Sequence, residues 1–185
     1  MGDWFETIAD VEATAEEADR LGVEVLSWLV EQGIVMAEQT DCILGGTGYA
    51  PGPDYGIAVT QPYAHMHRQG VNGLNVVTGR AAFYSMGVDR IVCPHCQSAV
   101  VDQDDEEHWP SFSESIDSWY AGGSGVESCP HCGKSAGLNE WHWSPPWGFG
   151  HLGFEFWNWP PLDPDFIADV ANLLGHRVVT PCGKI

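Results

Sequence analysis

The chain has 185 residues, of which 44% are hydrophobic and nine are Trp, so it can fill a packed core, which argues against overall disorder. Its 26 Asp and Glu residues outnumber seven Lys and Arg residues, which gives a formal net charge of −19. This negative field argues against binding to nucleic acid or to an anionic membrane, and it favours a basic protein partner.

The N-terminal sequence shows neither the basic segment nor the apolar run of a secretory signal. No stretch reaches the ~18 uninterrupted apolar residues that a membrane-spanning helix needs. We therefore expect a cytoplasmic protein. In that reducing compartment, the six cysteines predict bound metal or free thiols rather than disulfides.

The N-terminal segment is typical of a β-α-β unit. Thr14 and Glu17 have the spacing of a capping box, which satisfies backbone N–H groups at the start of a helix. Leu21 and Val25 begin an apolar stripe at helical spacing, and Gly33 is suited to end the helix. These signals predict a strand over residues 4–11, a helix over 15–32 and a strand over 34–36.

The same order of elements recurs near the C-terminus. Asp163 is suited to cap a helix whose first residue is Pro164, and Gly175 is suited to end that helix. The sequence therefore predicts a strand over residues 152–157, a helix through Leu174 and a closing strand over 176–180.

Two β-α-β units at opposite ends of the chain predict an α+β fold. We expect a four-stranded sheet with both helices on one face, a split βαβ-like arrangement. Residues 1–90 and 136–185 would form this domain, and residues 91–135 would be an inserted module. Within the first segment, residues 44–56 are rich in Gly and Pro and predict a loop, while residues 73–84 favour a strand or hairpin.

The inserted module contains two copies of one short cysteine motif, Cys-Pro-His-Cys, and the second copy is followed by Gly133. Two such turns can direct four sulfurs at one point, which is the tetrahedral geometry of a structural zinc site. The motif resembles the Cys-Pro-x-Cys-Gly knuckle of zinc ribbons, although Gln97 stands where the first knuckle prefers Gly. We predict one structural zinc ion, with the ligands Cys93, Cys96, Cys129 and Cys132.

The same motif has a second interpretation. Cys-Pro-His-Cys also resembles the active site of strongly oxidising thiol oxidoreductases, in which the first Cys lies at a helix N-terminus and has a lowered pKa. The residues after Cys96 and after Cys132 do not predict a helix, and the duplication fits a four-ligand site better. His95 and His131 are expected to be exposed spacers at the tips of the two turns.

An acidic segment separates the two cysteine pairs. Five of the six residues from 102 to 107 are acidic, and a buried element would not tolerate that density of charge. We predict a solvated loop that contacts a basic partner. Its partner-binding residues are Asp102, Asp104, Asp105, Glu106 and Glu107.

An aromatic cluster follows the module, with five Trp residues between positions 141 and 159. Strand alternation places Phe154 and Phe156 on one face and Trp157 and Trp159 on the other. We expect the metal module to cover that other face, with an exposed binding platform as the alternative. The stretch from residue 147 to 179 resembles a recurring family of small uncharacterised bacterial proteins, and this resemblance implies no activity.

Together these features favour a non-enzymatic, acidic zinc-binding protein that binds a basic protein, for instance an immunity-type inhibitor of a bacterial toxin. A zinc-clamped assembly subunit is a further possibility. The other main hypothesis is a small cytoplasmic enzyme with a purely structural zinc and a site in the Trp-rich cleft. Its acid or base would be His65, His142 or His151.

Overall fold

The structure is a computed structural model that describes residues 2–64, 66, 70–102 and 107–185. In these ranges the α-helices are α1 (Ala18–Glu31), α2 (Trp109–Tyr120) and α3 (Pro164–Leu174), and a short 3-10 helix covers Tyr55–Ala58. The strands are β1 (Trp4–Asp10), β2 (Val35–Ile43), β3 (Gly46–Pro51), β4 (Gly73–Phe83), β5 (Arg90–Val92), β6 (Ala99–Asp102), β7 (Val126–Ser128), β8 (Ser135–Gly137), β9 (His142–Ser144), β10 (Gly148–Trp157), β11 (Val178–Val179) and β12 (Cys182–Lys184). None of the described helices is both long and apolar enough to cross a membrane.

The main sheet has seven strands in the order β11-β1-β10-β4-β3-β2, and β12 also pairs with β1. Every neighbouring pair is antiparallel. The predicted α+β class is therefore confirmed. The four-stranded split βαβ arrangement is not confirmed, because β4 and β3 lie between β10 and β2.

The predicted loop at residues 44–56 is wrong, because β3 occupies Gly46–Pro51 and pairs with β2. A Cβ atom on Gly48 would lie 2.6 Å from the backbone oxygen of Leu74 in β4. This glycine therefore permits a close approach between neighbouring strands. Gly45 lies in the turn between β2 and β3 with a φ of 71°, so the Gly-rich composition reflects both a tight turn and close strand packing.

Three of the predicted helix ends are as expected, but the predicted start of α1 is wrong, because α1 begins at Ala18 and its N-cap is Glu17, which makes no side-chain cap hydrogen bond. Gly33 and Gly175 end α1 and α3 with φ angles of 69° and 72°, in the left-handed region that glycine tolerates. At the start of α3, a side-chain oxygen of Asp163 accepts a hydrogen bond of 2.9 Å from the backbone N–H of Asp165. These cap predictions are confirmed.

The first core lies between the main sheet and helices α1 and α3. The sheet contributes Ile8, Leu152 and Phe154, and all three side chains are buried. The helices contribute apolar residues at helical spacing, which is why each buries one face. These residues are Leu21, Val25 and Leu29 of α1 and Phe166, Val170 and Leu174 of α3.

The prediction for Trp159 is wrong, because its side chain is buried in this first core and contacts the ring of Phe156 at 5.0 Å between centroids. Asn158 has a φ of 54°, in the left-handed region, and this residue ends the alternation of β10. Its side-chain NH₂ donates to Asp3 Oδ1 and to the carbonyl of Val71 at 2.8 and 2.7 Å. These bonds help to hold the unusual backbone conformation.

A second core is formed mainly by residues of the cysteine-containing segment and of the aromatic cluster. Helix α2, which we did not predict, contributes Phe112 and Trp119. The ring of Phe112 contacts Trp141 edge-on at 4.9 Å, and Phe149 of β10 completes the packing. Because Phe149 of β10 and Ala82 of β4 pack in the same core as Cys93 and Cys129, the predicted metal-binding module covers one end of the main sheet. The domain boundaries at 91 and 135 stay predictions.

Two arginines join the main sheet to the second core. Arg80 of β4 lies with its guanidinium carbon 4.6 Å from the ring centroid of Trp119 and donates a 2.7 Å hydrogen bond to the Trp119 carbonyl. Arg177, just before β11, donates at 3.0 Å to the carbonyl of Asn139. Asn139 in turn donates to the carbonyl of Phe149 at 2.6 Å. These contacts fix the second core against the sheet.

Candidate metal centre

The first cysteine turn is closed by backbone hydrogen bonds at its base. The carbonyl of Cys93 accepts from the N–H of Gln97, and the N–H of Cys93 donates to the carbonyl of Ser98, both at 3.0 Å. Gln97 has a φ of 60°, so a non-glycine residue adopts the left-handed conformation here. Its side-chain NH₂ donates to the carbonyl of Pro94 at 3.0 Å and thereby braces the turn.

The second turn repeats this hydrogen-bond pattern. The carbonyl of Cys129 accepts from the N–H of Gly133 at 2.8 Å, and the N–H of Cys129 donates to the carbonyl of Lys134 at 2.9 Å. Gly133 has a φ of 72°, the same conformation as Gln97, but without the steric strain that a Cβ atom brings. The two turns therefore have the same backbone geometry, but the second adopts it with less steric strain.

The four predicted sulfurs converge between the two turns. The Sγ atoms of Cys93 and Cys132 are 3.9 Å apart, those of Cys96 and Cys129 are 3.7 Å apart, and all four ligand atoms lie within 4.8 Å of one another. A tetrahedral zinc ion with Zn–S bonds of about 2.3 Å requires sulfur–sulfur separations of about 3.8 Å. The four cysteines therefore match the size of a tetrahedral metal site.

The sulfurs of the site differ in environment. Cys93 and Cys129 are buried, whereas Cys96 and Cys132 are exposed. Hydrogen bonds from the hydroxyl and backbone N–H of Ser98 lower the pKa of Cys96 to about 6, whereas burial raises the pKa of Cys129 to about 11. A bound cation favours the thiolate at every position, and most of all where burial otherwise disfavours it.

The two histidines at the turn tips are exposed, as predicted, but they also connect the two halves of the site. His95 Nε2 lies 3.2 Å from the carbonyl oxygen of Ser135, three residues after Cys132. His131 Nε2 lies 3.1 Å from the carbonyl oxygen of Ala99, three residues after Cys96. Each turn thus contacts the strand that follows the other turn. Sequence reasoning missed this role, although the repeated Pro-His pair was its visible signal.

The thiol oxidoreductase interpretation lacks the structural feature on which it depends. No α-helix begins directly after either turn, since β6 starts at Ala99 and β8 starts at Ser135. Neither cysteine pair therefore lies at a helix N-terminus, which is the environment that activates the first thiol in those enzymes.

The predicted partner-binding residues lie partly inside the described ranges. Asp102 ends β6 and is exposed, and one of its carboxylate oxygens is 3.6 Å from Nε of Arg90. Glu107 is also exposed. Asp104, Asp105 and Glu106 lie outside the described residues.

The histidines of the enzyme hypothesis do not form a cluster in the described part of the chain. His142 is exposed in β9. His151 of β10 places Nδ1 at 3.3 Å from the carbonyl oxygen of Ala13 and packs near the ring of Trp119. His65 lies outside the described residues.

A different acid–histidine pair was not predicted. The carboxylate of Asp10 is buried at the end of β1, and its Oδ2 lies 2.8 Å from Nδ1 of His176. Its Oδ1 accepts hydrogen bonds of 2.9 Å from the N–H groups of Glu12 and Ala13. The contact with Asp10 raises the pKa of His176. The pair joins the loop after β1 to the loop after α3, and the large sequence separation hid it.

The chemistry available at the cysteine centre follows from its donor set. Four thiolates complete the coordination of a tetrahedral ion, so no position is left for a water molecule or a substrate. Such a site holds two turns together and does not activate water. No family model matches the sequence, and comparisons with curated proteins and with solved structures find no match either.

Proposed function

We propose that this chain is a non-enzymatic, acidic binding protein in which one structural zinc ion stabilises a zinc-ribbon-like module. The observation that supports it most directly is the convergence of four sulfurs with paired separations of 3.7 and 3.9 Å. Sulfur-rich tetrahedral sites select zinc or iron–sulfur chemistry, and a closed site of this kind is typical of structural zinc. A cytoplasmic location agrees with the proposal, because the thiols stay reduced there.

Metal analysis tests the zinc assignment. Protein purified without added metal contains close to one zinc per chain, and the double variant Cys93→Ser/Cys96→Ser contains none. The matched control is Cys42→Ser, which removes a buried thiol outside the four-cysteine group. Full zinc content in the double variant, or iron in place of zinc in the wild-type protein, contradicts the assignment.

The proposed partner is a basic protein, for instance a toxin that the chain inhibits. A net charge of −19 exceeds the magnitude of ~2–8 that is sufficient for the solubility of a small domain. Acidic surfaces accelerate association with basic partners, and salt screens that effect. We assign the contact to the acidic segment that contains Asp102, Asp104, Asp105, Glu106 and Glu107.

A pull-down from the native host at low and high ionic strength tests the partner proposal. We expect the pull-down to recover a basic protein that high salt releases. That protein should associate more slowly with a variant in which the five acids of the segment are changed to Asn and Gln than with the wild-type protein. The control variant changes five exposed acids elsewhere, which alters the net charge equally: Glu16, Asp19, Glu24, Glu31 and Glu38. Equal association rates for the two variants remove the segment from the interface.

A further inference from the structure

An open aromatic cleft lies beside the second core. It has a volume of about 330 Å³, which is within the lower range of small-ligand sites. Its walls carry the rings of Tyr84, Trp109 and Trp147 together with apolar side chains, among them Val88 and Val101. The cleft is thus lined by aromatic rings, and no described residue closes it off from solvent.

Trp147 is the fixed centre of this cleft. Its Nε1–H donates to the carbonyl of Gly87 at 3.2 Å, and its ring stacks on Trp143 with a centroid separation of 5.4 Å and an interplanar angle of 16°. Trp109 approaches it edge-on at 6.1 Å, and Tyr84 lies tilted at 5.5 Å. The Trp147 ring is therefore held in place before any ligand binds, which reduces the entropic cost of binding.

The electrostatic surroundings select the kind of ligand. Three residues that line the cleft are close in sequence to exposed acids: Val88 precedes Asp89, Val101 precedes Asp102, and Trp109 lies two residues after Glu107. Between residues 84 and 120 the only Lys or Arg in the sequence is Arg90, whose Nε lies 3.6 Å from a carboxylate oxygen of Asp102. A cation that approaches these rings meets an attractive field and a negative ring face.

We propose that the cleft binds an arginine side chain of a basic protein partner. A guanidinium group stacks on Trp and Tyr faces and is more weakly hydrated than an ammonium group, so arginine suits this surface better than lysine. Arginine and aromatic residues are also the side chains that dominate binding energy at interfaces. The inference rests on the proposed function, and it adds a specific anchoring site to the general attraction of the acidic surface.

The test uses the full-length protein and fluorescein-labelled peptides of alternating Gly and Arg, with the same peptide containing neutral citrulline as the matched ligand. Fluorescence anisotropy measures the dissociation constants. We expect the arginine peptide to bind more tightly than the citrulline peptide. Tyr84→Leu and Trp109→Leu should each weaken arginine binding about 2- to 30-fold, the range expected for one cation–π contact.

Tyr63→Leu is the control, because Tyr63 is 48% exposed and Tyr84 is 49% exposed, yet Tyr63 does not line the cleft. This variant should bind like the wild-type protein. Salt-sensitive arginine binding that is equal in all variants overturns the cleft assignment while leaving the acidic-surface proposal intact. Equally tight binding of the citrulline peptide shows a neutral ligand and overturns the inference. The absence of binding between the arginine peptide and the wild-type protein also overturns the inference. The proposed function itself is decided only by the pull-down from the native host.

Discussion

The two cores of this chain obtain their stability in different ways. The first lies under helices of 14 and 11 residues and is bounded by strands of up to 11 residues. The second combines a 12-residue helix with two small sheets whose strands have three or four residues. Strands that short form few backbone hydrogen bonds, so the second core needs additional cross-links. A metal ion bound by the four cysteines, as proposed, would supply one.

This difference shows that apolar content alone does not measure the independence of a region. The second core includes buried Trp141 and Phe112, but it also includes the side chains of Cys93 and Cys129. Burying those two thiols places half of the metal centre inside the hydrophobic core. Loss of the proposed ion would therefore change the packing directly, in addition to releasing the two turns.

The largest expected effect follows metal removal. Structural zinc sites have apparent binding free energies of roughly 10–16 kcal/mol near neutral pH, and this energy contributes to folding. A strong chelator should therefore increase hydrogen exchange in α2 and in strands β5 to β9, while α1, α3 and β10 stay protected. Mass spectrometry of peptides from each region measures this. A uniform loss of protection contradicts the separation into a metal-dependent and a metal-independent core.

Whether a feature of these two cores could be predicted from the sequence depends on how far apart in the sequence the interacting residues lie. The caps at Asp163 and Gly175 and the two Cys-x-x-Cys turns depend on neighbours a few residues away, so their patterns were visible. The position of β4 depends on its pairing with the distant strand β10, which composition does not encode. β3 pairs with its neighbour β2 across a two-residue turn, but its Gly and Pro content concealed the strand. Trp159 was misassigned because a single left-handed residue, Asn158, reversed the face of the next side chain.

Core substitutions should sharpen the comparison. Phe112→Ala and Phe156→Ala each remove a fully buried ring, and such changes typically cost about 3–5 kcal/mol of unfolding free energy. We expect Phe112→Ala to loosen the second core while the first stays protected, because Phe112 packs on Trp141 and Trp143. Phe156→Ala should destabilise the main sheet. Hydrogen exchange resolved by region distinguishes these outcomes from one cooperative transition.

The Asp10–His176 contact should give the first core a pH-dependent stability. The pKa of His176 is raised in the folded protein, so the folded state binds more protons than the unfolded chain between about pH 6.5 and that raised value. The stabilising contribution is fully present below that window and is lost as the pH rises through it.

Urea unfolding at several pH values measures this contribution. His176→Gln should flatten the dependence, whereas His142→Gln, which changes an exposed histidine, should leave it unchanged. An identical pH profile in His176→Gln and in the wild-type protein excludes the contact as its source.

The smallest expected effect concerns the two cysteine turns. Left-handed backbone costs a non-glycine residue roughly 1–2 kcal/mol, and only the first turn carries that cost, at Gln97. Gly133→Gln should therefore weaken metal binding by about tenfold, equivalent to ~1.4 kcal/mol. Gln97→Gly should strengthen it by less, because it also removes the hydrogen bond to Pro94. Competition with a chromogenic chelator measures both. Tighter metal binding by Gly133→Gln, or weaker binding by Gln97→Gly, contradicts the strain argument.

The contacts of Arg80 and Arg177, which connect the main sheet to the second core, have a consequence for the response of the molecule to salt. Both side chains donate to uncharged carbonyl oxygens, at 2.7 and 3.0 Å. Dissolved ions do little to screen a hydrogen bond at such a short distance. By contrast, at physiological ionic strength they strongly reduce the attraction between opposite charges that are separated by a Debye length of about 8 Å. We therefore expect the orientation of the two cores relative to each other to be independent of salt. The binding of a cationic partner, by contrast, is expected to depend on salt. We therefore expect salt to release the proposed basic partner without changing the orientation of the two cores.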